Sequence, residues 1–116
     1  MTDTAIEQDI QAAGATVAPR ITPDDIEANI VSEHYFTARE GCEGACGGGG
    51  THPVALALLT FCVLVLRNGF TVTGKSACAS PENFNAEIGR KIARKNAAEK
   101  VWPLMGYELR SKLAQQ

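Results

Sequence analysis

No hydrophobic run in the 116 residues is long enough to cross a bilayer. The longest, Val54 to Leu66, contains Thr60 and is 13 residues long, against the ~18 that a span requires. No basic residue precedes Arg20, whereas Asp3, Glu7 and Asp9 do, so the charged start and apolar centre of a secretory signal are not expected and a cytosolic location is. A global charge excess is also missing. Eleven basic against 13 acidic residues give a net charge of −2 and a pI near 5.6, which excludes broad attraction to nucleic acid or an anionic membrane and leaves any anion site to a local cluster. No Walker loop, nucleotide-fold glycine fingerprint, HExxH or GxSxG is present, and Gly47 to Gly50 lack the Lys-Ser/Thr that completes a phosphate loop. The two histidines, His34 and His52, are tied to no cysteine by pattern, so nucleophilic catalysis has no support and an enzyme is not expected.

What is present suits one small domain. With 45% apolar and 21% charged residues, a chain this short buries roughly two-thirds of its unfolded surface, enough for one modest core that an oligomer interface would usefully extend. Residues 1–20 are polar, with Gly14 and Pro19 interrupting any helix, and read as a flexible arm before a domain at 21–116. Thr22-Pro23-Asp24-Asp25 supplies a hydroxyl cap, proline at the first helical position and two carboxylates in the first turn. A helix is expected from there to about Ala38, with Ile26, Ile30, Val31, His34 and Tyr35 as its apolar stripe. A flexible glycine-rich loop at 41–53 follows.

Leu59 to Arg67 is β-branched and aromatic, and Asn68-Gly69 is the favoured type I′ pair. A two-residue loop would set Arg67 opposite Phe70, Val65 opposite Val72, Val63 opposite Gly74 and Phe61 opposite Ser76. That register makes Phe61, Val63, Val65, Phe70 and Val72 the core face. The first strand is apolar on both faces, so it should be central, or covered by a helix or a second subunit. Ser80-Pro81-Glu82 predicts a second helix, with Phe84, Ile88 and Ile92 against the ribbon and Gly89, Ala93, Ala86 and Ala97 as an adjoining strip that admits another backbone. Trp102-Pro103 should break or kink it before a short terminal helix carrying Leu104, Leu109 and Leu113. The fold class expected is α+β.

Cys42, Cys46 and His52 form a C-x3-C-x5-H array. The spacing is none of the common zinc patterns and a fourth ligand is not evident, so incidental thiols in a variable loop are expected and no metal or cofactor is. Cys62 and Cys78 fall on opposite hairpin faces and read as packed thiols. Arg90, Lys91, Arg94 and Lys95 are the densest basic cluster. Arg90, Lys91 and Arg94 could face phosphates, with Arg67, Asn83 and Asn85 bordering them and Trp102 or Tyr107 stacking on a base. The competing reading is a solvated helix face balanced by Glu87 and Glu99 at i, i+4 spacing.

FCVLVLRNGFTVTG, SACASPENF, EIGRKIARKNA and WPLMGY, together with the upstream ITPDDIEANIVSEHYFTA, resemble a family of small bacteriophage and prophage proteins, the phage gene-forty-nine/gene-sixty-six family. The resemblance covers about three-quarters of the chain and implies a phage-encoded accessory protein in the host cytoplasm. It brings no reaction and no binding residues with it. The function expected is non-catalytic binding that counters host defence, most concretely sequestration of a nucleotide-type signal by a homo-oligomer. Inhibition of a host enzyme through a protein surface and nucleic-acid binding are the alternatives, the last made less favourable by the acidic total charge.

Overall fold

Ile30–Thr37 is a strand, where the sequence suggests that the first helix continues. The computed structural model describes residues 3–14, 18–48 and 50–116; residues 1, 2 and 15–17 of the expected arm and Gly49 of the expected loop lie outside them. The elements in order are α1 (Asp3–Ala12), α2 (Pro23–Asn29), β1 (Ile30–Thr37), α3 (Ala38–Ala45), β2 (Leu59–Leu66), β3 (Thr71–Ala77), α4 (Ala86–Glu99) and α5 (Val101–Ala114). Short 3-10 turns at Val54–Leu58 and Pro81–Asn83 precede β2 and α4. This is an α+β fold around a three-stranded antiparallel sheet of order β1-β2-β3.

α2 starts where the cap predicts. Thr22 Oγ1 accepts from the Asp25 N–H, and the Asp25 carboxylate accepts from the Thr22 N–H, satisfying two orphan donors at once. It ends after seven residues. Ile-Val followed by Tyr-Phe-Thr favours a pleated strand, and β1 finds a partner in the two-faced β2, with His34 opposite Val63 and Phe36 opposite Phe61. A second reciprocal cap then starts α3: Thr37 Oγ1 accepts from the Glu40 N–H, and Glu40 accepts from the Thr37 N–H. Gly41 to Ala45, expected in the loop, are therefore helical. Residues 3–12, expected in a polar arm, form α1, and Glu7 accepts from both terminal nitrogens of Arg20.

The hairpin slips by one residue from the expected register. The Gly69 N–H donates to the Leu66 carbonyl, the Leu66 N–H to the Phe70 carbonyl, and Asn68 Oδ1 accepts from the Phe70 N–H. The loop thus has three residues, Arg67-Asn68-Gly69, with Gly69 in the left-handed region at φ 87°, a standard hairpin closure ending in a glycine bulge. Val65 pairs with Thr71, Leu64 with Val72 and Cys62 with Gly74. The slip inverts the expected face of β2. Thr60, Cys62, Leu64 and Leu66 are buried with Val72, while Phe61, Val63 and Val65 are half-buried on the other face and Phe70 is exposed. β2 is the central strand, as its two apolar faces suggest.

α4 lies on the buried face through its small-residue strip. Gly89, Ala93 and Ala97 are buried, followed by Val101 at the start of α5. A Cβ on Gly74 would come within 3 Å of Ala93 and Ala97 backbone atoms, so helix and strand touch through their main chains. Ile88 and Ile92, expected against the ribbon, are 55% and 45% exposed, because the close approach at Gly74 turns the small side of the helix inward and leaves no gap for branched side chains. The α-helix starts at Ala86, capped by Asn85 Oδ1 accepting from the Ile88 N–H. The Ser80-Pro81 signal starts only the 3-10 turn. The helix breaks at Lys100, and α5 runs a full 14 residues through Gly106.

Candidate functional site

The basic cluster divides according to what each side chain meets. Arg94 is clamped: Nε donates to Glu33 at 2.8 Å, and its two terminal nitrogens donate to Glu27 at 3.2 and 2.9 Å. These bonds, first from Glu27 and then from Glu33, raise the guanidinium above its ordinary range and hold the Glu33 carboxyl below its own. Tyr35 donates to Glu33 from the same side and, chiefly through burial, has its phenol pushed up to about 12. Arg94 therefore ties α4 to α2 and β1. Lys91 pairs with Glu87 and Lys95 with Glu99, one helical turn apart on exposed surface. Among the described residues, Arg90 is the one member of the cluster with no carboxylate partner.

Arg90 borders a hollow of about 220 Å³ beside the first turn of α4, lined also by Phe84, Thr60, Tyr35, Phe36, Thr37 and Glu40. Local sequence rules build it. Thr37 and Thr60 face each other where β1 and β2 end. Gly89, whose added Cβ would stand 3.1 Å from Thr60 Oγ1, lets the helix settle against that hydroxyl. The Thr37–Glu40 cap fixes the opposite wall. A second hollow of about 160 Å³ adjoins the first across Phe84 and Thr60 and is bordered by Asn83, Asn85, Ile88 and Ile92.

Of the eight residues expected to share one site, Asn83, Asn85 and Arg90 come together around this turn. Lys91 and Arg94 lie by a separate hollow facing α2. Trp102 lines an apolar groove with Ile6, Ile10 and Ile21. Arg67 sits at the hairpin loop, at the other end of β2, some ~23 Å of strand from Thr60. Tyr107 is 77% exposed on α5. The eight do not gather in one hollow: Arg67 is at the far end of β2, Trp102 and Tyr107 are on α5, and Arg94 is held by Glu27 and Glu33. Phe84, Tyr35, Phe36, Thr37 and Thr60 were not expected as site residues; the β-branched and aromatic residues Ile30, Val31, Tyr35, Phe36 and Thr37 are the strand signal that brings the β1 members into view.

All four cysteines are free. Cys62 is fully buried and its thiol is raised by burial; Cys42 on α3 is half-buried, and Cys46, which caps the end of that helix, is exposed. Among the described residues no group of three His, Cys, Asp or Glu side chains could hold a metal ion, and no helix is long and apolar enough to cross a membrane.

No curated protein and no solved structure matches the chain. The model of one family does, that of the phage protein (N4 Gp49/phage Sf6 gene 66) family, and the match runs over residues 21–113, from just before the cap of α2 almost to the end of α5. It takes in the whole sheet, α4 and the hollows at its first turn, so the chain belongs to that phage protein family.

Proposed function

We propose that this phage accessory protein acts in the host by non-catalytic binding of a nucleotide-type signal at the first turn of α4. One observation carries the reading: Arg90, without a carboxylate partner among the described residues, lies beside Phe84 and Tyr35 on one hollow. A cation next to aromatic surface suits a ligand that is both anionic and planar. Arg90 would meet phosphate and Phe84 would carry the base. Glu40 and the Thr37 and Thr60 hydroxyls offer acceptors to its exocyclic N–H groups. The first hollow is smaller than the ~300 Å³ at which ligand pockets usually begin; Phe84, the shared wall, would have to swing for both hollows to serve one ligand. The expected roles of Lys91 and Arg94 as phosphate contacts give way to Arg90, since their charges are already matched by carboxylates on α4, α2 and β1.

Calorimetry with cyclic and ADP-ribose-type nucleotides tests this. Heat of binding is expected for at least one, with an affinity loss of roughly tenfold or more in Arg90→Ala, the scale of one charge-assisted contact. Lys91→Ala should bind as the unaltered chain does. Absence of heat for every nucleotide contradicts the reading.

The solvent-facing Ile88 and Ile92 on α4 favour a second reading, a surface that docks on a host protein. Ile92→Asp abolishing the protein's effect in the host while nucleotide titrations stay silent would select it.

A further inference from the structure

We infer that the uncovered face of the sheet is the interface for a second copy of this chain, independently of any ligand at α4. By the observed register, that face carries Ser32, His34 and Phe36 on β1, Phe61, Val63 and Val65 on β2, and Thr71, Thr73 and Lys75 on β3. The Phe36 and Phe61 rings stack at 5.5 Å, and α3 folds over one end, Gly41 against the Phe36 ring. The core and α4 lie on the opposite side. A central strand apolar on both faces ordinarily has both covered. Here one is.

Charge and area select the occupant. Among the described residues, the strands place no carboxylate on this face, and the ionisable groups they place there, His34 and Lys75, sit on the outer strands. An apolar centre between polar rims is the layout of a protein interface. It matches itself: a two-fold axis in the interface plane lays the β2 strip of one copy on that of the other, giving aligned sheets packed ~10 Å apart. A strongly basic partner finds no counter-charge there, and an acidic one meets only the two groups at the rims. The chain exposes 7788 Å², against about 6,100 Å² for a compact monomer of its mass, a surplus of about 1,700 Å². Each partner of a standard interface buries ~800 Å², about half of that whole-chain surplus. Lengthening the sheet at β3 is less favoured, because Asn96 Nδ2 donates to the Lys75 carbonyl on its outer edge.

Sedimentation of the full chain, with light scattering as a check, decides the matter. The expected mass is about twice 12.3 kDa. Val63→Arg, at the centre of the face, and Thr73→Arg, at its exposed rim where folding is not at stake, should each give a monomer with unchanged far-UV circular dichroism. A monomeric unaltered chain overturns the inference. So does a dimer that Thr73→Arg leaves intact, whether Val63→Arg folds or not.

Discussion

Gly74 decides which side of α4 faces the sheet. Its hydrogen lies where any Cβ would collide with the main chain at Ala93 and Ala97, and main chain cannot move aside as a side-chain tip can. Gly74→Ala should cost about 3 kcal/mol or more, the upper range of overpacking, whereas Thr73→Ala on the exposed face should change stability by less than about 1 kcal/mol. Thermal unfolding of the two variants side by side measures the difference. The cysteines make a second test. Cys46 is exposed and Cys62 is fully buried with a raised thiol, so a thiol reagent should modify Cys46 within the native state and Cys62 only on unfolding. Mass spectrometry of the partly labelled chain reads the order.

At the scale of elements, Arg94 is the point where ion pairs tie α4 to α2 and β1. The Glu33 carboxyl titrates below its ordinary 4.5 in the folded chain, so its contribution is fully present above that value and is lost as pH falls through the lower folded one. Arg94→Met should destabilise by about 1 kcal/mol at neutral pH, given the partial exposure of the pair. It should also flatten the acid limb of the stability curve, while Lys91→Met leaves that limb unchanged. Denaturant titrations between neutral pH and pH 3 compare them. The same elements show what the sequence made legible. The caps at Thr22 and Thr37 are local chemistry. The first starts α2 where its sequence predicts, and the second starts α3; neither marks the end of α2, because Ile30, His34 and Tyr35 recur at helical spacing within a strand. The central position of β2 followed from its two apolar faces, yet those faces are equivalent in sequence. Only the three-residue closure at Gly69 and the approach of Ala93 to Gly74 choose between them. That choice also turned Ile88 and Ile92 outward, while Arg67 at the hairpin loop and Trp102 and Tyr107 on α5 lie apart from Arg90 by their place in the fold, so the site was legible as residue types but not as a place.

At the scale of the whole molecule the chain is a long, thin slab, 57 × 29 × 17 Å, with a radius of gyration of 17.9 Å where a compact chain of this length has about 13 Å. One face of the sheet is packed and the other is open, and α5 extends with Val101 as its buried residue. The packed side places Arg90, Phe84, Thr37 and Thr60 around the first turn of α4, and the proposed binding function rests on that placement. A nitrogen-15 NMR titration of the full chain with ADP-ribose and with cyclic dinucleotides examines it most directly. Saturable amide shifts concentrated at Thr37, Thr60 and Phe84 to Arg90 are predicted; spectra unmoved by every nucleotide, or shifts gathered instead at Arg67, Trp102 and Tyr107, would contradict it.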